Sequence, residues 1–255
     1  MTIKVKYLSE DEIEKDAELL LSEYEDTTGE PIKLPVPVTD ITTYHLALRL
    51  GFDNLHQTLN RPMVRGQPDI LGAIWVEKEL VLIDSHLDPK NNPSMLGRYR
   101  FSVAHEIGHW RLHRSYVAKD PNQISLFDAP SEPTVICRSS QENEPIEWQA
   151  NFFASCLLMP CRRVHDEWKE CLGRTGPLLL LDLRPNGKVM MRAQTMIYEQ
   201  GRNETGAVDD ALFEEVAKPI ARRFGVSAPA MRIRLEKLGL LLRQAPQQAS
   251  LTVDP

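Results

Sequence analysis

The sequence predicts an α+β fold, mainly helical, with a small antiparallel sheet and a helix-turn-helix-like segment near its end. Three observations carry this expectation. Apolar residues recur at helical spacing in several stretches bounded by caps. Two short β-prone runs stand only two residues apart. A closing stretch, 209–241, repeats the helical pattern on both sides of a glycine.

Each element follows from local chemistry. Ser9-Glu10-Asp11-Glu12 fits a capping box, and Ile13, Ala17, Leu20, Leu21 and Tyr24 follow at helical spacing until Gly29 and Pro31. Asp40 is placed to cap a second helix, roughly Ile41 to Leu50, closed by Gly51. "ILGAIWV" (70–76) and "ELVLID" (79–84) read as a hairpin across Glu77 and Lys78. The loop "DPKNNPS" (88–94) leads into a helix carrying "FSVAHEIGHWRLHR" (101–114). Residues 117–145 read as a long loop, with prolines at 121, 130, 133 and 145. A strong helix, "IEWQANFFASCLLM" (146–159), stops at Pro160, and an amphipathic helix then runs to Leu172 and Gly173. "LLLLDLRPNGKVMMRAQ" (178–194) reads as two strands around the turn signal Asn186-Gly187. The last two helices divide at Gly225 and restart at Ser227, and the tail from Pro246 is expected to be disordered.

Composition narrows the function classes. The chain has 255 residues, 42% hydrophobic and 26% charged, which is ordinary for a soluble globular protein. A net charge of −6 argues against wholesale nucleic-acid coating and leaves room for a local basic patch. The N-terminus turns acidic at once and shows no apolar signal region. The longest apolar run, "PLLLLDL" (177–183), is too short to span a bilayer. Cys137, Cys156, Cys161 and Cys171 lack CxxC spacing and read as reduced thiols, so a cytoplasmic protein is expected.

The chemistry concentrates in "HEIGH". His105 and His109 stand at i and i+4, on one face of a helix, where both imidazoles reach one ion. Glu106 projects from a neighbouring face, where it reaches a water held at that ion; HExxH thus encodes two ligands and a general base. With 7 histidines and 36 acids in the chain, chance supplies only about 0.01 such matches. The opposing reading is a helix with solvated or hydrogen-bonded histidines.

A catalytic zinc needs a third protein ligand and an open position. Glu132, Glu142, Glu144, Glu147, His113 and His165 are the downstream donors. Glu147 opens the strong helix, and its face continues through Asn151, Ala154 and Leu158, so its carboxylate points inward. Asn151 is placed to hydrogen-bond a ligand histidine. The alternative for Glu147 is a first-turn acid favoured by the helix dipole. His113 lies ~12 Å along the helix from His105, which favours a packing or hydrogen-bonding role.

"RYRFSVAHEIGHWRLHR" (98–114) followed by "EWQANFFASCLLMP" (147–160) resembles the ImmA/IrrE family of metallopeptidases. The family pattern is R-F-x-x-A-H-E-x-G-H, then E-x-x-A-N-x-F-A-x-x-L-L-M-P. It is met at Arg100, Phe101, Ala104, His105, Glu106, Gly108 and His109, then at Glu147, Ala150, Asn151, Phe153, Ala154, Leu157, Leu158, Met159 and Pro160. The flanks "LRLGF", "LGAIW", "LVLID" and "ARRFGVSAPAMRIRLEKLGLL" (221–241) also resemble it. The resemblance implies a thermolysin-like (gluzincin) core in 1–206, a helical segment packed on or beside it in 207–243, and a tail from 244. It implies one zinc ion on His105, His109 and Glu147, Glu106 as base, and a helix-turn-helix repressor as the cleaved partner, in a stress or mobile-element response. The loop 117–145 and the region 174–208 are longer than is usual in the family.

The same resemblance implies an oxyanion donor, for which Tyr99, Tyr116, His86 and His165 are candidates. Three other readings remain beside it. Lys218, Arg222, Arg223, Arg232, Arg234, Lys237 and Arg243 on two helices divided by "GVS" would suit direct DNA binding. An interaction protein with a metal site that does not turn over would carry the same residues. A Cys137 thiolate could fill zinc's open position and silence the enzyme. The four tryptophans fit core or cleft walls, and His45 and His56 have no partner motif.

Overall fold

The structure is a computed structural model and describes residues 5–63, 69–117, 133–138, 144–183, 187–200 and 206–245. The chain forms two compact units, Met1–Pro160 with Arg223–Val226, and Cys161–Arg222 with Ser227–Pro255. The fold is α+β, mostly helical with a small mixed sheet. Among the described residues no helix is long and apolar enough to cross a membrane.

The first unit opens with α1 (Glu10–Thr28), whose Ser9–Glu12 capping box is present and whose Ile13, Ala17, Leu20 and Leu21 are buried. A short helix α2 (Val38–Asp40) runs on into a π-turn at Ile41–His45, followed by β1 (Arg49–Asp53) and α3 (Leu55–Thr58). The hairpin expected at 70–84 forms as β2 (Ile70–Trp75) and β3 (Leu80–Asp84), with Trp75 paired to Leu80. Next come α4 (Leu96–Gly108), a π-turn at His109–His113, α5 (Arg114–Val117), β4 (Val135–Arg138) and α6 (Pro145–Leu158).

Helices α4 and α6 pack on each other, α1 packs on α6, and α4 lies against β2 and β3. Arg111 pins the π-turn to α1: its guanidinium donates to Asp16 at 2.9 and 3.2 Å and to Glu23 at 2.9 Å. The sheet order is β1-β3-β2-β4. It is mixed rather than antiparallel as expected, because β1 runs parallel to β3. The chain leaves β1 through α3, enters β2 antiparallel to β3, and so returns along β3 in the direction of β1.

Three other expectations are corrected. The helix expected at 41–50 ends early; Ala47 takes φ 55, and residues 49–53 pair with β3 instead. That pairing is non-local, and the cap-and-glycine pattern does not report it. The stretch read as a loop, 117–145, contains β4, paired to β2. The hairpin expected at 178–194 does not form at its second strand: residues 187–200 are helical, being rich in Lys, Met, Arg, Ala and Gln. Asn186, and the tail from Pro246, lie outside the described residues.

The second unit contains α7 (Cys161–Leu172), β5 (Leu178–Leu179), α8 (Leu180–Leu183), α9 (Gly187–Gln200), α10 (Ala207–Phe224), α11 (Ala228–Lys237) and β6 (Leu241–Leu242). Helix α10 ends in the first unit, at residues 223–224. Its helices α10 and α11 divide at Gly225 as expected, and the Ser227 side chain accepts from the Ala230 amide. Helices α7 to α9, read from sequence with residues 1–206, fall in this unit.

Candidate metal centre

Two buried helices present the centre. His105, Glu106 and His109 come from the C-terminal half of α4 and its π-turn, and Glu147 from the first turn of α6; none is more than 3% exposed. The helices meet closely because Gly108 has no side chain. A Cβ there would stand 3.1 Å from both the Cα and the carbonyl oxygen of Ala150.

Hydrogen bonds behind the histidines fix their tautomers. Gln149 Nε2 donates to the Lys6 carbonyl at 2.9 Å, leaving Oε1 to accept from His113 Nε2 at 2.9 Å. Burial lowers the His113 pKa, and the neutral ring keeps a bare Nδ1. That nitrogen accepts from His109 Nδ1 at 3.1 Å, so His109 Nε2 is bare. His105 Nδ1 donates to Asn151 Oδ1 at 2.9 Å, so His105 Nε2 is bare as well.

These two nitrogens face each other at 2.9 Å. Glu147 Oε2 lies 3.2 Å from His105 Nε2, and Oε1 lies 3.5 Å from His109 Nε2. Burial holds His109 neutral, with a pKa lowered to about 4. Burial raises the Glu147 carboxyl, and only a positive charge beside it, from a protonated imidazole or a cation, would lower it. Two lone pairs and a carboxylate converging in a dry site repel each other without a cation between them. A tetrahedral ion with bonds of ~2.0–2.2 Å separates its donors by ~3.3 Å, a figure these distances bracket. The donor set therefore fits a divalent metal.

Glu106 has a different environment. Both carboxylate oxygens are buried and lack a hydrogen-bond partner among the described residues. Burial and then the charge of Glu147 push its pKa well above 4.5. Gly72 on β2 makes room for it: a Cβ there would fall 2.6 Å from Glu106 Oε1. Cys137 on β4 joins the cluster, since ligand atoms of His105, Cys137 and Glu147 all lie within 4.8 Å of one another.

The remaining candidates lie as follows. Glu144 is exposed, and Glu132 and Glu142 fall outside the described residues. His113 supports His109, as its spacing suggested. His165, in the second unit, donates to the Cys161 carbonyl at 2.9 Å. Tyr99 shares a hydrogen bond with Thr39 at 3.1 Å, His86 pairs with Asp84 at 2.6 Å, and Tyr116 is exposed. Trp75, Trp110 and Trp168 are buried. The sequence reading missed Gly72 and Gln149. A glycine inside a strand signals a close approach, and a glutamine on an otherwise apolar helix signals a buried polar partner.

The fold and this cluster define a small α+β protein with a buried two-histidine, one-carboxylate centre spanning two helices. Residues 81–172 match the Peptidase_M78 family, described as the IrrE N-terminal-like domain. The matched segment carries both motifs, the HExxH helix and the helix of Glu147, in line with their resemblance to that family. A Mycobacterium tuberculosis transcriptional regulator is similar in structure, with a TM-score of 0.43 and 15% identity over 95% of this chain and 50% of that one. The present chain thus spans half the length of that regulator. No curated protein matches.

Two predictions arise here. Asn151→Ala frees the His105 ring, and metal affinity is expected to fall about 10–100-fold; a chelator competition checks this, and unchanged affinity would contradict the role of Asn151. The second concerns pH. His109 has an ordinary value of 6.5 and a folded value of about 4. Its depressed pKa gives stability that is present above 6.5 and lost as pH falls to 4, because only the unfolded chain takes up the proton. The loss for the metal-free protein is on the order of 3 kcal/mol. Thermal melts of metal-free Glu106→Gln, in which the opposing titration of Glu106 is removed, are expected to show it across that window, and a flat melting temperature in that variant would contradict it.

Proposed function

We propose that the chain is a zinc-dependent endopeptidase with a thermolysin-like centre: His105, His109 and Glu147 hold the metal and Glu106 is the general base. The observation that carries this reading is the pair of bare Nε2 atoms 2.9 Å apart, faced by the Glu147 carboxylate. The Glu106 carboxylate, buried without a hydrogen-bond partner among the described residues, supports the catalytic role.

A bound zinc ion supplies a Lewis acid that polarises the scissile carbonyl and lowers the pKa of water toward ~7. Glu106 takes the proton from the attacking water and passes it to the leaving amine. Its dry surroundings raise its affinity for that proton, which suits a group that must hold it between the two transfers. Asn151 and the His113–Gln149 relay keep the two imidazoles in the ligating tautomer.

The substrate proposed is a protein, a helix-turn-helix repressor whose cleavage relieves repression in a stress or mobile-element response, in the cytoplasm. The family resemblance supports this choice. Direct DNA binding is the weaker reading, because several of the basic residues of 218–243 are paired or buried. Arg232 pairs with Glu236 at 3.0 Å and Arg243 with Glu236 at 2.8 Å. Lys218 pairs with Glu215, and Arg234 is buried. Co-incubation with the repressor encoded beside the gene tests the proposal. Cleavage that a chelator abolishes and zinc restores is expected; an intact repressor, or chelator-insensitive cleavage, would overturn it.

A further inference from the structure

The centre holds one thiol that the proposed mechanism does not use. Cys137 is 5% exposed on β4, the edge strand of the sheet, and its register sets it opposite Gly72 on β2. Gly72 is also the residue over which Glu106 folds. The sulfur therefore stands beside two of the proposed ligands and across from the residue on which the proposed base packs. Two independent observations meet there: the His105, Cys137 and Glu147 ligand atoms lie within 4.8 Å of one another, and the buried Glu106 carboxylate, packed over Gly72 opposite Cys137, has no hydrogen-bond partner among the described residues.

Thiolate sulfur is a strong zinc donor, with a bond of ~2.3 Å and a separation of ~3.6 Å from a nitrogen ligand on the same tetrahedral ion. Two imidazoles and one carboxylate leave one corner of such an ion open. We infer that Cys137 is a fourth protein ligand, which closes the open corner in the resting protein and makes it latent. This rests on the metal-centre reading above. Ligation forms one metal–sulfur bond and releases the thiol proton to solvent, with no change of oxidation state. Strand β4 then occupies the place along β2 that an extended peptide takes by strand addition. A substrate segment that displaces β4 removes the sulfur and delivers a carbonyl to the freed corner in the same movement.

Cobalt(II) loaded in place of zinc distinguishes the outcomes. The wild-type protein is expected to show visible ligand-field bands together with a near-ultraviolet thiolate-to-cobalt charge-transfer band. Cys137→Ser should lose the charge-transfer band, keep the visible bands, and cleave the repressor faster than wild type. A triple variant with Cys156, Cys161 and Cys171 replaced by alanine should keep the charge-transfer band, which reads Cys137 alone even if Cys137→Ser does not fold. Visible bands without a charge-transfer band in wild type would overturn the inference and leave the metal centre standing, Cys137 then being a packing residue of β4. Absence of both bands in wild type would overturn the metal centre itself, and the inference with it.

Discussion

Glu106→Gln is expected to keep the metal and to cleave the repressor about 10²–10⁴-fold more slowly, the usual worth of a positioned acid–base group. The substitution preserves shape, touches no ligand and removes only the ability to take a proton. It carries a second signature, in stability, that reads the burial of Glu106 independently of its catalytic role. Burial and the Glu147 charge raise the folded-state pKa of Glu106 above its ordinary 4.5. Such a group gives stability that is present below 4.5 and is lost as pH rises toward its folded value. Glutamine does not titrate. The metal-free variant should therefore gain melting temperature over wild type as pH rises above 4.5, with a gap that widens with pH. Near-wild-type cleavage would exclude Glu106 as the base. A gap that shrinks with pH would show that the carboxylate has a partner in solution.

Glu147→Ala is expected to cost more metal affinity than any supporting residue, exceeding the about 10–100-fold typical of groups that only orient a ligand. Glu147 is the single anion facing two bare imidazole nitrogens, at 3.2 and 3.5 Å. Removing it leaves two neutral imidazoles, with the inferred Cys137 thiolate as the remaining anionic donor, and so weakens the compensation for drying a divalent cation. Asn151→Ala leaves all three donors in place, so the order of damage, Glu147→Ala beyond Asn151→Ala, separates ligand from support. Equal losses would mean that Glu147 acts as the helix-dipole acid its first-turn position also allows. Metal titrations of both variants, with circular dichroism to verify folding, make the comparison.

The sequence exposed local order and hid non-local pairing. Helices α1, α6 and α7 were legible because each has a cap or a stop and an apolar face that repeats within one segment, and α4 because its motif residues stand at helical spacing. The β2–β3 hairpin was legible because its strands are near neighbours in sequence. Strand β1 was hidden, since its partner β3 is contributed from residues 80–84. Strand β4 was hidden among prolines that break any helical pattern, and its pairing with β2 spans more than sixty residues. At 187–194 a strong Asn-Gly turn signal outweighed, in reading, the helix propensity of Lys, Met, Arg and Ala that the chain follows. The centre followed the same rule. His105, Glu106 and His109 are one motif on one helix. Glu147 was ambiguous by position alone, because the closeness of α4 and α6 depends on Gly108 meeting Ala150. Gln149 and Gly72 act only through residues distant in sequence, and their signals, a polar residue on an apolar helix and a glycine inside a strand, gain meaning once their partners are in view.

Crystals grown with zinc and measured at its absorption edge test the metal centre most directly. One anomalous peak is expected within ~2.0–2.2 Å of His105 Nε2, His109 Nε2 and a Glu147 carboxylate oxygen. A peak bound elsewhere, or a Glu147 side chain turned away from an occupied histidine pair, would contradict it.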